Sequence, residues 1–133
     1  MTFMDWRSQY ETGHARIDEQ HQALVARVNQ LHEASQRGRG REEVRNTLMF
    51  LISYTLEHFK MEEELMDQTG YPQAQRHKEL HHGLVVRLSE LMQTYVSLGP
   101  GALTLSTMDF MAGWLVEHFQ GEDCRLAEFL RER

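Results

Sequence analysis

Apolar side chains recur at three- and four-residue intervals along four stretches of the chain, the spacing that gathers them on one side of a helix. Ile17, Leu24, Val25, Val28 and Leu31 form the first stripe, with His21 on it, and Arg37-Gly38-Arg39-Gly40 ends it. The second starts near Arg41 and carries Val44, Leu48, Leu51, Ile52, Thr55, Phe59, Leu65 and Met66. His58 and Glu62 fall within it, and it stops before Gly70-Tyr71-Pro72. The third runs from beyond Pro72 through His77, His81, Leu84, Val85, Leu88, Leu91, Met92 and Tyr95 to Gly99-Pro100-Gly101. The fourth is expected to be capped near Ser106 or Thr107. It presents Met108, Met111, Leu115, His118 and Phe119 inward and then enters a charged tail.

Four amphipathic segments with short breakers between them predict an all-α fold, an antiparallel up-down-up-down four-helix bundle. Residues 1–16 show no helical stripe, and Gly13 interrupts any early helix. They are expected to form an extended N-terminal arm packed by Trp6 and Tyr10, with the bundle over residues 17–133. The 133 residues suit one domain of four helices of about 20 residues each.

Composition narrows the function classes. The formal charge is -6, and no Lys/Arg cluster offers a footprint for a phosphate backbone, so nucleic acid is not expected as a partner. Asp5, Arg7 and Glu11 interrupt the start of the chain, which excludes a signal-peptide core or membrane insertion there and predicts a cytoplasmic protein. Cys124, with no second thiol, is read as a bystander. The anomaly is histidine, eight of them in so short a chain.

His58 and Glu62 are four residues apart, as are His77 and His81, and four steps of roughly 100° return to nearly the same helix face. His21 and His118 add one inward nitrogen from each remaining helix, so all four helices can supply ligands to one core site. Asp123 follows His118 by five residues, about 140° away on an ideal helix. It joins the site only if the helix widens or ends there. Imidazoles with a few carboxylates and no thiolate suit iron better than calcium, and a structural zinc site would need only four ligands. Seven candidates therefore imply two metals. Two six-coordinate irons offer twelve positions. Five imidazoles, two bridging carboxylates and a bridging oxo or hydroxo group leave one open. Surrounded by Leu, Met and Phe, that position favours binding a small apolar diatomic over turnover.

The stretches Gly13 to His21 (GHARIDEQH), His58 to Glu62 (HFKME), Tyr71-Pro72, His77 to His81 (HKELH) and Trp114 to Asp123 closely resemble the hemerythrin family, specifically its single-domain bacterial members, across nearly the whole chain. The resemblance implies a non-haem di-iron centre ligated by His21, His58, Glu62, His77, His81, His118 and Asp123. It further implies that His77, His81 and His118 fill one iron, that His21 and His58 bind the other, and that Glu62 and Asp123 bridge them. The function so implied is reversible dioxygen binding for transport, storage or sensing, rather than catalysis. Because the spacing from His118 to Asp123 is also the family's, a local distortion of the fourth helix is expected there.

Other histidines read differently. His32 shares the face of His21 but lies about 16 Å further along the helix. His82 is about 100° around from His81, and His14 sits in the arm, so none of the three should reach the metals. Glu79 to His82 carries the Glu-x-x-His spacing of ferritin-like di-iron bundles. The only other copy, Glu11 to His14, crosses Gly13 ahead of the first helix, which disfavours that class. Leu115 is expected near the metal pocket, and Trp114 one position before it. A di-iron enzyme acting on peroxide or nitric oxide, a redox-repair protein, and a module whose metal state is read by an unidentified protein partner stand as alternatives. The pattern leaves the oligomeric state open.

Overall fold

A computed structural model of the chain describes residues 3–38 and 40–133. Met1 and Thr2 of the expected arm, and Arg39 of the first breaker, lie outside the described residues. The helices are α1 (Ala15–Gln36), α2 (Arg41–Thr69), α3 (Ala74–Leu98), α4 (Leu105–His118) and α5 (Cys124–Arg131). A π-helical turn, Phe119–Asp123, joins α4 to α5 without a break, so these three pieces act as the fourth rod of an antiparallel four-helix bundle. Among the described residues there is no strand and no helix long and apolar enough to cross a membrane.

Three boundaries differ from the pattern-based expectation. Helix α1 begins at Ala15 rather than Ile17, because His14 adopts an extended backbone and its Nδ1 accepts the Ile17 N–H at 3.3 Å. Helix α4 begins at Leu105, capped by Thr104 rather than by Ser106 or Thr107. Thr104 is the last extended residue, and its hydroxyl oxygen accepts the Thr107 N–H at 3.1 Å. The charged tail is helix α5, whose Leu126 and Ala127 are fully buried. Its four apolar residues, Leu126, Ala127, Phe129 and Leu130, alternate with Arg125, Glu128 and Arg131, and Leu126 docks it against Ile17 and Met66 with Phe129 and Leu130 packed alongside. At the end of α2, Gly70 takes the left-handed conformation (φ 70°, ψ 38°) that stops a helix at least cost.

The N-terminal arm is pinned rather than loose. The Asn29 amide brackets the backbone of Met4, accepting its N–H at 2.7 Å and donating to its carbonyl at 2.8 Å. Trp6 and Tyr10 pack against each other and against Phe119. Where the arm turns into α1, Asp18 accepts from the Thr12 N–H and hydroxyl, both at 2.8 Å, and from the Gly13 N–H at 3.1 Å. Gly13 has φ 91°, which only glycine adopts readily, and a side chain there would run into the Arg131 guanidinium. We expect Asp18→Ala to lower stability by about 1–3 kcal/mol through loss of a charged acceptor shared by three donors. Urea denaturation would show it as a lowered midpoint at unchanged slope.

Apolar packing falls into two blocks. The larger includes Leu24, Val28, Leu48, Leu84, Met108 and Leu115, and the smaller consists of Ile17, Met61, Met66, Tyr71 and Leu126 with their partly buried neighbours. Along each rod the buried histidines and carboxylates fall between the two. His21 lies between Ile17 and Leu24, Glu62 between Leu51 and Met66, and His118 and Asp123 between Leu115 and Leu126. The bundle therefore carries a polar layer between two greasy ones.

Candidate metal centre

Seven side chains meet in that layer, none more than 4% exposed. Helix α1 brings His21, α2 brings His58 and Glu62, α3 brings His77 and His81, and α4 brings His118. The π turn brings Asp123. In a π turn the closure runs from residue i to i+5 rather than i+4, so the residue five beyond His118 returns above it. That is the widening the sequence required, and it sets the Asp123 carboxylate 3.1 Å from His118 Nε2.

The donors divide into two groups among the described residues: Glu62, His77, His81, His118 and Asp123, and separately His21, His58, Glu62 and Asp123. In each group one nitrogen or oxygen per residue lies within 4.8 Å of all the others. Asp123 Oδ1 is 3.0 Å from His77 and 3.1 Å from His118, whereas Oδ2 is 2.7 Å from His21 and 4.0 Å from His58. One carboxylate thus turns an oxygen toward each group. Glu62 Oε1 lies 3.2 Å from His81, 3.6 Å from His77 and 3.4 Å from His58.

These groups aim at common points more than at one another. His21 Nε2, His58 Nε2 and all four carboxylate oxygens of Glu62 and Asp123 are buried without an aligned hydrogen bond, a costly state for groups that could face water instead. His77 and His81 each set Nε2 3.1 Å from His118 Nε2. Two ligands about 2.1–2.2 Å from one ion and at right angles would be about 3.0–3.1 Å apart, so the spacing is that of neighbouring ligands on one metal. The donor set fits a pair of cations.

Electrostatics agrees. Burial alone would raise the Asp123 pKa, but the surrounding His118, His21 and His58 hold it well below the usual carboxylate range. For Glu62, burial and the Asp123 charge push upward, and His58, His77 and His81 overcome them and lower it. Burial pushes His77 down, yet its contacts with Asp123 and Glu62 lift it to about 9. A metal ligand must be a neutral imidazole, so His77 gives up a proton when a cation enters. Metal affinity should then strengthen about tenfold per pH unit between pH 6 and 8, with proton release. Chelator competition at the two pH values checks this, and equal affinities would contradict it.

Sequence spacing missed the groups that hold the rings. Gln20 Oε1 lies 2.7 Å from His58 Nδ1, and Glu63 Oε2 lies 2.8 Å from His81 Nδ1. Each acceptor fixes the proton on Nδ1 and leaves Nε2 as the free donor toward the cluster. Three aromatics lie flat on the other sides: Phe119 on His21 (3.8 Å), Phe59 on His81 (3.8 Å) and Trp114 on His118 (4.5 Å). Leu115 is buried in the larger apolar block, and Trp114 makes the direct ring contact. Gln20 and Glu63 neighbour His21 and Glu62 in sequence, but their targets sit on other helices, a relation no spacing rule reveals.

The remaining histidines stand apart from the centre. His14 caps α1, His32 stacks on Phe3 at 4.3 Å, and His82 is exposed. Glu79 is exposed as well, so the ferritin-like spacing from Glu79 to His82 faces outward. Cys124 directs its sulfur to the Glu11 carbonyl at 3.9 Å, and burial and Asp123 push its thiol pKa up.

Residues 12–130 match the hemerythrin HHE cation binding domain. The chain belongs to the hemerythrin family. Among related hemerythrins, the bacteriohemerythrin of Stenotrophomonas maltophilia (strain R551-3) is 31% identical over 128 residues, covering 96% of this chain and 82% of the relative. That of Methylococcus capsulatus (strain ATCC 33009 / NCIMB 11132 / Bath) is 32% identical over 124 residues, covering 92% and 93%. A crystal structure of wild-type hemerythrin superposes with a TM-score of 0.88 at 30% identity, over 96% of this chain and 98% of the other. The five-histidine, two-carboxylate cluster thus sits in a hemerythrin fold along nearly its whole length.

Proposed function

We propose that the cluster holds two iron ions and that the protein binds dioxygen reversibly. The observation that carries this reading is the pair of donor groups sharing Glu62 and Asp123, with the two Asp123 oxygens turned to opposite sides. Two adjoining cations need shared anionic ligands between them, and a lone structural ion needs no such arrangement. Membership of the hemerythrin family supports the choice of iron.

His77, His81 and His118 would hold one iron and His21 and His58 the other, with Glu62 and Asp123 bridging. The side with two imidazoles has the smaller donor set, and that is where dioxygen is proposed to land. Bound iron supplies reversible electron donation to dioxygen. The chain's own part is to fix the rings through Gln20 and Glu63, and to wall the centre with Phe59, Phe119 and Trp114. Those aromatics keep bulk water and proton donors from the layer, which favours release of the ligand unchanged over its reduction.

An anaerobic, reduced, iron-loaded sample should develop a visible absorption band on exposure to oxygen and lose it under argon, with two irons per chain by elemental analysis. Sustained oxygen or peroxide consumption over many turnovers would favour the enzymatic alternative. One zinc per chain would sink the di-iron reading.

A further inference from the structure

The two ring-holding acceptors are chemically unequal. His58, in the two-histidine group, is held by the neutral amide oxygen of Gln20 at 2.7 Å, and His81, in the three-histidine group, by the carboxylate of Glu63 at 2.8 Å. Both contacts leave Nε2 facing the cluster, so they do the same geometric work with different charge. A carboxylate accepting the Nδ1–H polarises the ring and makes Nε2 a stronger donor, and an amide does so far less. Glu63 is one residue past Glu62, about 100° around α2, so its charge stands behind His81 rather than inside the cluster. Its side chain is 34% exposed, which lets it carry charge without the penalty of full burial.

We propose that Glu63 is a positioning residue that, through its hydrogen bond to His81, biases the centre so that the three-histidine position holds its cation more tightly than three imidazoles alone would. Gln20 leaves the two-histidine position without that bias. The proposal rests on the reading that each donor group holds a cation, and it adds a source of asymmetry beyond the count of histidines. The more weakly donated position is the one at which dioxygen is proposed to bind, so the bias keeps that metal the more exchangeable and the less electron-rich of the two.

Cobalt(II) alone is a sufficient probe, titrated against a chromophoric chelator into the metal-free full chain. The wild-type chain should take up two cobalt ions. Glu63→Gln keeps an acceptor for Nδ1–H but removes the charge, and should weaken one of the two sites about 10–100-fold while leaving the other unchanged. Glu63→Ala should do no more than that by a small factor. Gln20→Glu should tighten the other site, and it decides the matter alone if the Glu63 variants fail to fold. In the iron-loaded protein, Glu63→Gln should also raise the reduction potential, a readout that simple loss of packing would not move in a fixed direction. Wild-type affinity at both sites of Glu63→Gln, with or without loss in Glu63→Ala, overturns the proposal, as does a Gln20→Glu chain that binds no tighter. A wild-type chain that takes up no cobalt overturns this inference together with the two-cation reading. Iron-loaded protein without a reversible oxygen band sinks the proposed function but leaves the cobalt comparison decisive.

Discussion

Asp123→Asn is expected to release both cations, whereas His21→Ala releases one. Asp123 is the residue whose two oxygens face different donor groups, at 3.0 Å from His77 on one side and 2.7 Å from His21 on the other. Asparagine keeps the shape and removes the charge that two adjacent cations need between them, so each site should weaken on the order of 100-fold or more. His21 belongs to one group alone, and its loss should spare the three-histidine position. Isothermal titration with cobalt(II) or zinc separates the cases, with stoichiometries of zero and one per chain. An Asp123→Asn chain that keeps one tightly bound ion would show that the carboxylate is not shared. The same substitution has a signature without metal, because contact with Asp123 is what most lifts His77 against burial. The His77 titration followed by NMR should move down from about 9.

Metal loading itself is the second large effect. The metal-free layer buries two ionised carboxylates and an imidazole held near pKa 9 between two apolar blocks, with several donor atoms lacking aligned partners. Cations that bind only the folded chain stabilise it by mass action, about 4 kcal/mol for one site at a thousandfold excess over Kd. For a chain of this size that corresponds to a rise in Tm of roughly 10–20 °C. Scanning calorimetry with and without a chelator measures it. The gain should shrink as pH falls, because protons compete with cations for the imidazoles. The metal-free chain has the opposite dependence at the alkaline end. The raised His77 pKa stabilises its fold fully below about 6.5, the ordinary imidazole value, and that contribution disappears as pH rises through about 9. A Tm unchanged by chelator would show that the cluster holds no metal in solution.

The helical stripes were legible because burial on a helix has a period, and that period runs through Leu24, Leu48, Leu84 and Met111, all buried. The pairs His58/Glu62 and His77/His81 were legible for the same reason, since a four-residue step is a local property of the chain. Asp123 was harder. Regular helix geometry argues against it, and only the family resemblance argued for it, together with a distortion that the π turn supplies. Helix ends were read less well. Thr104, Ser106 and Thr107 are all competent caps, and the choice depends on where the backbone leaves the extended region, which composition does not encode. Helix α5 reads locally as a charged tail because charged residues from Glu122 to Arg133 interrupt its apolar positions, whereas packing of Leu126 against Ile17 and Met66 decides its fate. Gln20 and Glu63 belong to a further class of information, since they act across helix boundaries and only the assembled bundle pairs them with His58 and His81.

The polar layer between two apolar blocks has a consequence for how the molecule breathes. Ile17, Met61, Met66, Tyr71 and Leu126 form a small end piece on the other side of the seven-residue cluster from the larger block. Without cations that junction is held by imidazole–carboxylate contacts and leaves several buried donor atoms unmet, so the end piece, α5 included, is expected to open as a separate cooperative unit while the larger block stays closed. Cations bound by His21, His58, Glu62, His77, His81, His118 and Asp123 would tie all four rods at one level. On metal loading, amide exchange in α5 and in the first turns of α1 is then expected to slow toward the global unfolding limit, two cooperative units becoming one.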